Sequence, residues 1–394
     1  LMFSSDSWLS SPASSFYPHT IDQSLRLNVG DSAYLTRTPS GDSNLDAWTF
    51  STWVKYASTS NTLYLLTASI DADASSWFML ALKTDGTIDI RQFSSSYHFR
   101  KITTAKFRDK SAWYNIVMSY DSANSTAEDR IKLYVNGVRI TVFGTNTNPS
   151  SGRDSFVNQA HPHAIGSFVN NNGGSFDNFS DAYLADTNLI DGTVATPSSF
   201  GETKDGIWVP KNTSGLTFGT NGFRLQYAET GTSQNSSGIG ADTSGQDNHF
   251  AVNNLAATDV VPDSPTNNFA TLNNLHPNAS TGNFSEGNLR SYQDQSPYTD
   301  FYATFAVSAG KWYWEARAAG TAIQQIWGFA REDALTTANG GSASSTTGYA
   351  YFRYGSFARE RANGSDANAS GTLSVAAGDV IGLALNLDDN EVKF

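Results

Sequence analysis

WTFSTWVKY (48–56) and RIKLYVNGVRIT (130–141) decide the fold class. In the first, Trp48, Phe50, Thr52, Val54 and Tyr56 alternate with Thr49, Ser51, Trp53 and Lys55. That two-residue period is the signature of a strand with two distinct faces. In the second, Asn136-Gly137 separates two β-branched runs, and both residues tolerate the positive φ angles of a two-residue hairpin turn. WFMLALKTDGTIDIRQF (77–93) repeats the device with Asp85-Gly86. SAWYNIVMSYD (111–121) and FSDAYLADTNLID (179–191) read as further strands. One short helical turn is expected over 197–202, with Thr196 as its cap and Pro197 at its first position. No long 3.6-residue period occurs anywhere, so the chain is all-β, with antiparallel strands packed as a sandwich.

The composition agrees. Of 394 residues only 16% are charged, and aromatic residues reach 13%, spread along the chain. Rings supply the buried area that short strands need, and exposed rings make stacking platforms for sugars. The formal net charge is −12, from 25 basic and 37 acidic residues. Such a surface repels a nucleic-acid polyanion, and no basic run offsets it. A calcium ion or a neutral glycan suits it better. There is no cysteine, which excludes disulfides and Cys-based metal sites. No apolar run approaches the roughly 18 residues of a membrane span. LMFSSDSWLSSPASSFYPHT (1–20) lacks the basic and apolar regions of a signal peptide.

Four regions are expected: an arm at 1–23, a sandwich at 24–210, an Asn/Ser/Gly-rich connector with short strands at 211–295, and a second β-sandwich from 296 to 394. Trp48, Trp53, Trp113, Trp312 and Trp314 are assigned to cores.

The ordered set SLRLN, SAYLTRTPS, DAWTFSTWVKY, FRDKSAWYNIVMSYD, RIKLYVNGVRI, AIGSF, AYLADTNLIDG and TPSSFGE (24–202) resembles the laminin-G, concanavalin A-like domain found in phage structural proteins. GKWYWEAR (310–317) and GDVIGLALNLDDNEVKF (378–394) are similar to two strand regions of a SPRY domain. A SPRY domain normally continues through a further hairpin, so the resemblance implies a domain left incomplete at Phe394. Together these imply a virion surface protein: a tail fibre, head appendage or capsid decoration that adheres to host-surface glycans or assembles with other virion proteins. Self-association, often as a trimer, belongs to that implication. The alternative is a secreted bacterial glycan-binding module of a larger protein. Neither reading involves nucleic acid or membrane insertion.

Catalysis is not expected. Retaining glycosidases of concanavalin A-like fold need two carboxylates about 5–5.5 Å apart, which clustered acids on one strand face would supply. Here Glu128, Glu202, Glu229, Glu286, Glu315, Glu332, Glu360 and Glu391 are scattered singly. His161 and His163 are separated by a proline and read as loop residues before the AIG strand. Calcium at a sandwich rim is the reasonable metal, because it takes oxygens from loops. Asp71, Asp73, Asp177 and Asp181 are its candidate ligands, with Asp242 and Asp247 a second set. Candidate glycan-binding aromatics are Trp77, Tyr97 and His98 in the first sandwich and Tyr349, Tyr351 and Tyr354 in the second.

Overall fold

The computed structural model describes residues 16–58, 60–70, 75–273, 283–292, 301–318, 324–330, 348–354, 357–362, 365–367 and 376–393. These fall into two compact units. The described residues up to 271, with 285–290, form the first; the other described residues from 272 onward form the second.

The first unit is a sandwich of two eight-stranded sheets. Its strands are β1 (Ser24–Leu27), β2 (Tyr34–Arg37), β3 (Ala47–Tyr56), β4 (Leu63–Ser69), β5 (Ser76–Leu82), β6 (Ile88–Ser94) and β7 (Ser96–Thr103). There follow β8 (Tyr114–Asp121), β9 (Ile131–Val135), β10 (Val138–Ile140), β11 (Phe143–Thr147), β12 (His163–Ile165), β13 (Phe168–Asn170) and β14 (Ser175–Asp177). The last are β15 (Ala182–Asp191), β16 (Gly201–Lys204), β17 (Ile207–Pro210), β18 (Phe223–Leu225), β19 (Ala251–Asn253) and β20 (Val260–Val261). Sheet one runs β10-β9-β8-β3-β15-β1-β20, with β18 also on β15; sheet two runs β11-β7-β6-β5-β4-β12-β2-β19. Both expected hairpins form: Asn136 and Gly137 have φ of 49° and 77°, but in the longer connection at 83–87 only Gly86 is at positive φ (84°), and Asp85 Oδ1 accepts from the Thr87 N–H and hydroxyl instead. Gly137 is required twice over: a Cβ there would lie 2.4 Å from the Trp208 ring.

The core lies between the sheets. Trp48, Phe50, Val54 and Tyr56 from β3 meet Phe78, Leu80, Ile90 and Phe99 from the other sheet. Trp48 stacks on Tyr120 at 5.5 Å and stands edge-on to Phe78 at 5.7 Å. Thr52, on the same face, is buried in a hydroxyl chain through Thr187 to Tyr227. The opposite face of β3 is buried too. Trp53 packs with Trp113, Tyr183 and Ile21 in a second cluster.

That second cluster exists because the expected connector is largely part of the sandwich. β18, β19 and β20 pair with β15, β2 and β1. Residues 262–269 then lie against the outer face of sheet one, held by Lys55. The Lys55 side chain is 0% exposed. Its Nζ donates to Asp263 Oδ2 (2.8 Å), Asn268 Oδ1 (2.8 Å) and the Phe269 carbonyl (2.6 Å). Asp263 Oδ1 accepts from Trp113 Nε1 at 3.1 Å. Ile21, in the expected arm, exchanges two hydrogen bonds with Thr266 Oγ1. The turn at Pro197–Ser199 is 3-10, and Thr196 does not cap its backbone; its hydroxyl bonds Ser198 instead.

In the second unit, Lys311–Arg317 pairs along its length with Val380–Asn386, which also pairs with Glu391–Lys393. Gln324–Ala330, Gly348–Tyr354, Phe357–Ala362 and Ser365–Ala367 form a four-stranded antiparallel sheet. Trp312 and Trp314 differ from the core positions expected of them, being 42% and 37% exposed. Among the described residues Lys311–Arg317 is an edge strand, and of the two only Trp314 reaches another described ring, Phe329.

Breaking a buried ion pair by removing one partner typically costs about 3–5 kcal/mol, because a desolvated charge is left unpaired. Asp263→Ala is therefore expected to destabilise the first unit by about that amount in denaturant unfolding. The double variant Lys55→Met, Asp263→Leu should recover most of it. Equal losses in the single and double variants would show that the pair is not the clamp.

Candidate functional site

The outward side chains of sheet two assemble an aromatic row. In β5 and β6 alternation sends Phe78, Leu80, Ile88 and Ile90 to the core and Trp77, Met79, Asp89, Arg91 and Phe93 outward. The β6–β7 register then shifts: Gln92 pairs Phe99, but Phe93 pairs Tyr97. This bulge brings Tyr97 beside Phe93 on the outer face. The adjacent His98 goes elsewhere, to Gln92 Nε2 at 3.3 Å and edge-on to Phe156. Burial lowers its pKa, and Arg153 adds to the effect.

Trp77 stacks on Phe93 at 5.6 Å with an interplanar angle of 21°. Tyr97 closes one end, edge-on to Phe93 at 5.2 Å; Phe168 from β13 closes the other, edge-on to Trp77 at 5.3 Å. Tyr64 lies 5.6 Å beyond Phe168. Two guanidinium groups cover rings: Arg91 lies 5.7 Å from Trp77 and Arg100 5.0 Å from Tyr97. Arg91 also donates to the Tyr97 hydroxyl at 3.3 Å and pairs with the buried Asp89. Beside the row is a cavity of about 220 Å³ lined by Tyr64, Trp77, Met79, Phe168, Lys83 and Arg91, with Thr62 and Asn178 adding polar atoms. Burial is the main influence on the Tyr64 hydroxyl and raises its pKa. Half-buried rings beside a few polar groups can hold a small ligand by stacking and orient it by hydrogen bonds.

Of the sequence-predicted aromatics, Trp77 and Tyr97 thus come together, and His98 does not join them. Tyr349, Tyr351 and Tyr354 lie on a strand paired on both sides, but their side chains are outside the described residues. Phe93, Phe168, Tyr64, Arg91 and Arg100 were not anticipated. The alternation of IDIRQF would have placed Arg91 and Phe93 with Trp77, whereas the bulge and the β13 contribution have no local signal.

Of the calcium candidates, only some lie among the described residues. Asp71 and Asp73 lie outside the described residues. Asp177 is exposed and accepts from Ser175 Oγ, while Asp181 is buried with Oδ1 unpartnered. Burial pushes the Asp181 carboxyl up to about 6, with Lys110 opposing. No group of three His, Asp or Glu able to hold a metal occurs among the described residues. Asp242 accepts from the backbone of Arg224, Ser244 and Asn248, which is a turn role, and the Asp247 side chain is 92% exposed.

His163 differs from the loop position expected of it. It belongs to β12 and is buried, not in a loop. Its Nδ1–H donates to the His161 carbonyl at 2.7 Å, and Nε2 accepts from the Asn158 N–H at 3.2 Å. Both nitrogens are used by the neutral ring. No helix among the described residues is long and apolar enough to cross a membrane.

Residues 29–195 match the profile of a family described as the concanavalin A-like lectin/glucanases superfamily, laminin G type. The first unit has the concanavalin A-like, laminin G fold. The strands β18, β19 and β20 of this laminin G unit lie beyond the matched segment. Among solved structures, the chain is similar to a heptameric SAP-like pentraxin from Limulus polyphemus (18% identity, TM-score 0.34, 45% of this chain and 78% of that one). It is also similar to the CBM40 of Ruminococcus gnavus IT-sialidase bound to α2,3 sialyllactose (14%, 0.28, 36% and 75%). A third is the LG4-5 pair of mouse laminin α1 (9%, 0.35, 95% and 76%). No curated protein sequence matches the chain.

Burial pushes the His163 pKa down to about 4, with Arg37 also lowering it. Its folded value is below its unfolded value, so its contribution to stability is full above about pH 6.5 and lost as pH falls towards 4. The loss should be about 2–3 kcal/mol. Denaturation of the wild type and His163→Gln at pH 7 and pH 4 checks this: the variant should lose less. Identical pH dependence would refute it.

Proposed function

We propose that this chain is a non-catalytic, glycan-binding protein of a virion surface, and that the outer face of sheet two in its laminin G unit receives the sugar. The carrying observation is the row Phe168, Trp77, Phe93, Tyr97, built from three strands of the sheet and one hairpin beside a cavity with polar atoms at its wall. Pyranose rings present C–H faces that stack on such rings, and their hydroxyls need the donors and acceptors beside them. The lectin membership of the family matched by residues 29–195 supports the same reading.

The virion part rests on the order of sequence landmarks, which resembles phage structural proteins. The SPRY-like reading of the second unit rests on GKWYWEAR and GDVIGLALNLDDNEVKF, whose strands are direct partners. In such a protein several copies, for instance a trimer, engage a host surface together, and avidity multiplies a weak single-site affinity. Other virion proteins would hold it on the particle.

Binding of the full chain to a glycan array tests this reading. At least one saccharide class should bind, and Tyr97→Ala should weaken that binding about three- to tenfold, the worth of one stacking ring. Tyr97 is 42% exposed, so the melting temperature should barely move. Absence of binding, or binding indifferent to Tyr97, would refute the assigned face. Release of reducing ends from any bound polysaccharide would refute the non-catalytic part. Absence of the chain from purified particles would refute the virion part.

A further inference from the structure

The aromatic row carries a charge pattern opposite to that of the chain. The chain has a formal net charge of −12. On this face stand Lys83, Arg91 and Arg100, and a buried carboxylate, Asp89, pairs with Arg91. Arg91 and Arg100 are also direct cross-strand partners in the β6–β7 register. Like charges directly opposite each other on one sheet face are unfavourable. Asp89 relieves Arg91. Nothing relieves Arg100: among the described residues it forms no ion pair and donates to no acceptor, and its guanidinium rests on Tyr97 at 5.0 Å. Lys83 forms no direct ion pair among the described residues; Asp85 is its acidic neighbour, but that carboxylate bonds Thr87 and pairs with Lys106.

An arrangement that places an uncompensated arginine opposite another arginine, over an exposed ring, lacks an anion. We propose that the saccharide bound at this face is acidic, with a carboxylate or sulfate group meeting Arg100 and a second anionic group within reach of Lys83. The inference rests on the glycan-binding reading given above and adds the chemical class of sugar. The planar guanidinium fork matches a carboxylate or sulfate with two parallel hydrogen bonds, and the ring beneath fixes its orientation. The aromatic row contributes stacking area that acidic and neutral sugars share, so discrimination falls to the cations.

Matched ligand pairs test the proposal on the full chain by calorimetry. One pair is a galacturonic acid hexamer and its methyl ester; the other is a sulfated galactan oligosaccharide and its desulfated form. The acidic member of at least one pair should bind about tenfold or more tightly than its neutral counterpart, as a charge-assisted bidentate contact requires. The pair that shows the difference identifies the anionic group. Arg100→Gln should reduce the acidic member's affinity to that of the neutral form, Arg100→Lys should retain part of the preference, and both should melt no lower than the wild type. Neutral members binding as tightly as acidic ones, with Tyr97 still needed, would overturn the acidic preference and leave the glycan-binding reading standing. Failure of all four to bind, together with a silent glycan array, would overturn both.

Discussion

The buried Lys55–Asp263 pair is the constraint on which the first unit depends. A lysine in the middle of β3, with no exposed side-chain surface, is tolerable only because three oxygens converge on its ammonium. Burial pulls its pKa down, and Asp263 opposes that pull. Those three oxygens all come from residues 263–269, about two hundred positions away in sequence. The pair thus ties the returning chain over Trp53, Trp113 and Tyr183 and seals the outer face of sheet one. A sandwich has two outer faces. One is covered by its own chain, and the other carries the partly exposed row of rings on sheet two.

On that second face a single irregularity does the positioning. A regular β6–β7 register would place His98 opposite Phe93 and turn Tyr97 away. The bulge exchanges them: Tyr97 joins the row, and His98 turns toward Gln92 and Phe156. On the unshifted side of the bulge Arg91 pairs with Arg100. The bulge thus carries Tyr97 to the face on which the two guanidinium groups already stand.

What could be read from the sequence follows from where the determinants are local. The Asn136-Gly137 turn and the alternation in residues 48–56 are written in adjacent residues, and each forms as read; the Asp85-Gly86 hairpin forms with only Gly86 at positive φ. The incorporation of 223–261 into the sheets is not written locally. β18, β19 and β20 have three, three and two residues, too few to show a period, and their partners are distant in the chain. Lys55 was legible as an outward residue of β3, but not as a buried one, because its cover arrives from 263–269. His163 fails for a related reason: its burial is decided by the pairing of β12 with β2 and β4. The site was half legible. Trp77 and Tyr97 stand out as aromatics near turns, whereas their meeting depends on a bulge, and Phe168 reaches them from a hairpin about seventy residues on.

The state of the rings themselves bears on how such a face can bind. Trp77, Phe93 and Phe168 are each in contact with at least one other ring and are only partly exposed. Arg91 is held between Trp77, Asp89 and the Tyr97 hydroxyl. Side chains already fixed by their neighbours lose little rotamer freedom when a ligand arrives, so more of the contact energy is kept. The cost of building the face is met during folding, where burial of the inner halves of the same rings offsets it. Arg100 is the exception. It is stacked on one side and, among the described residues, unpaired on the other, and it is the group on this face with the most to gain from an arriving anion.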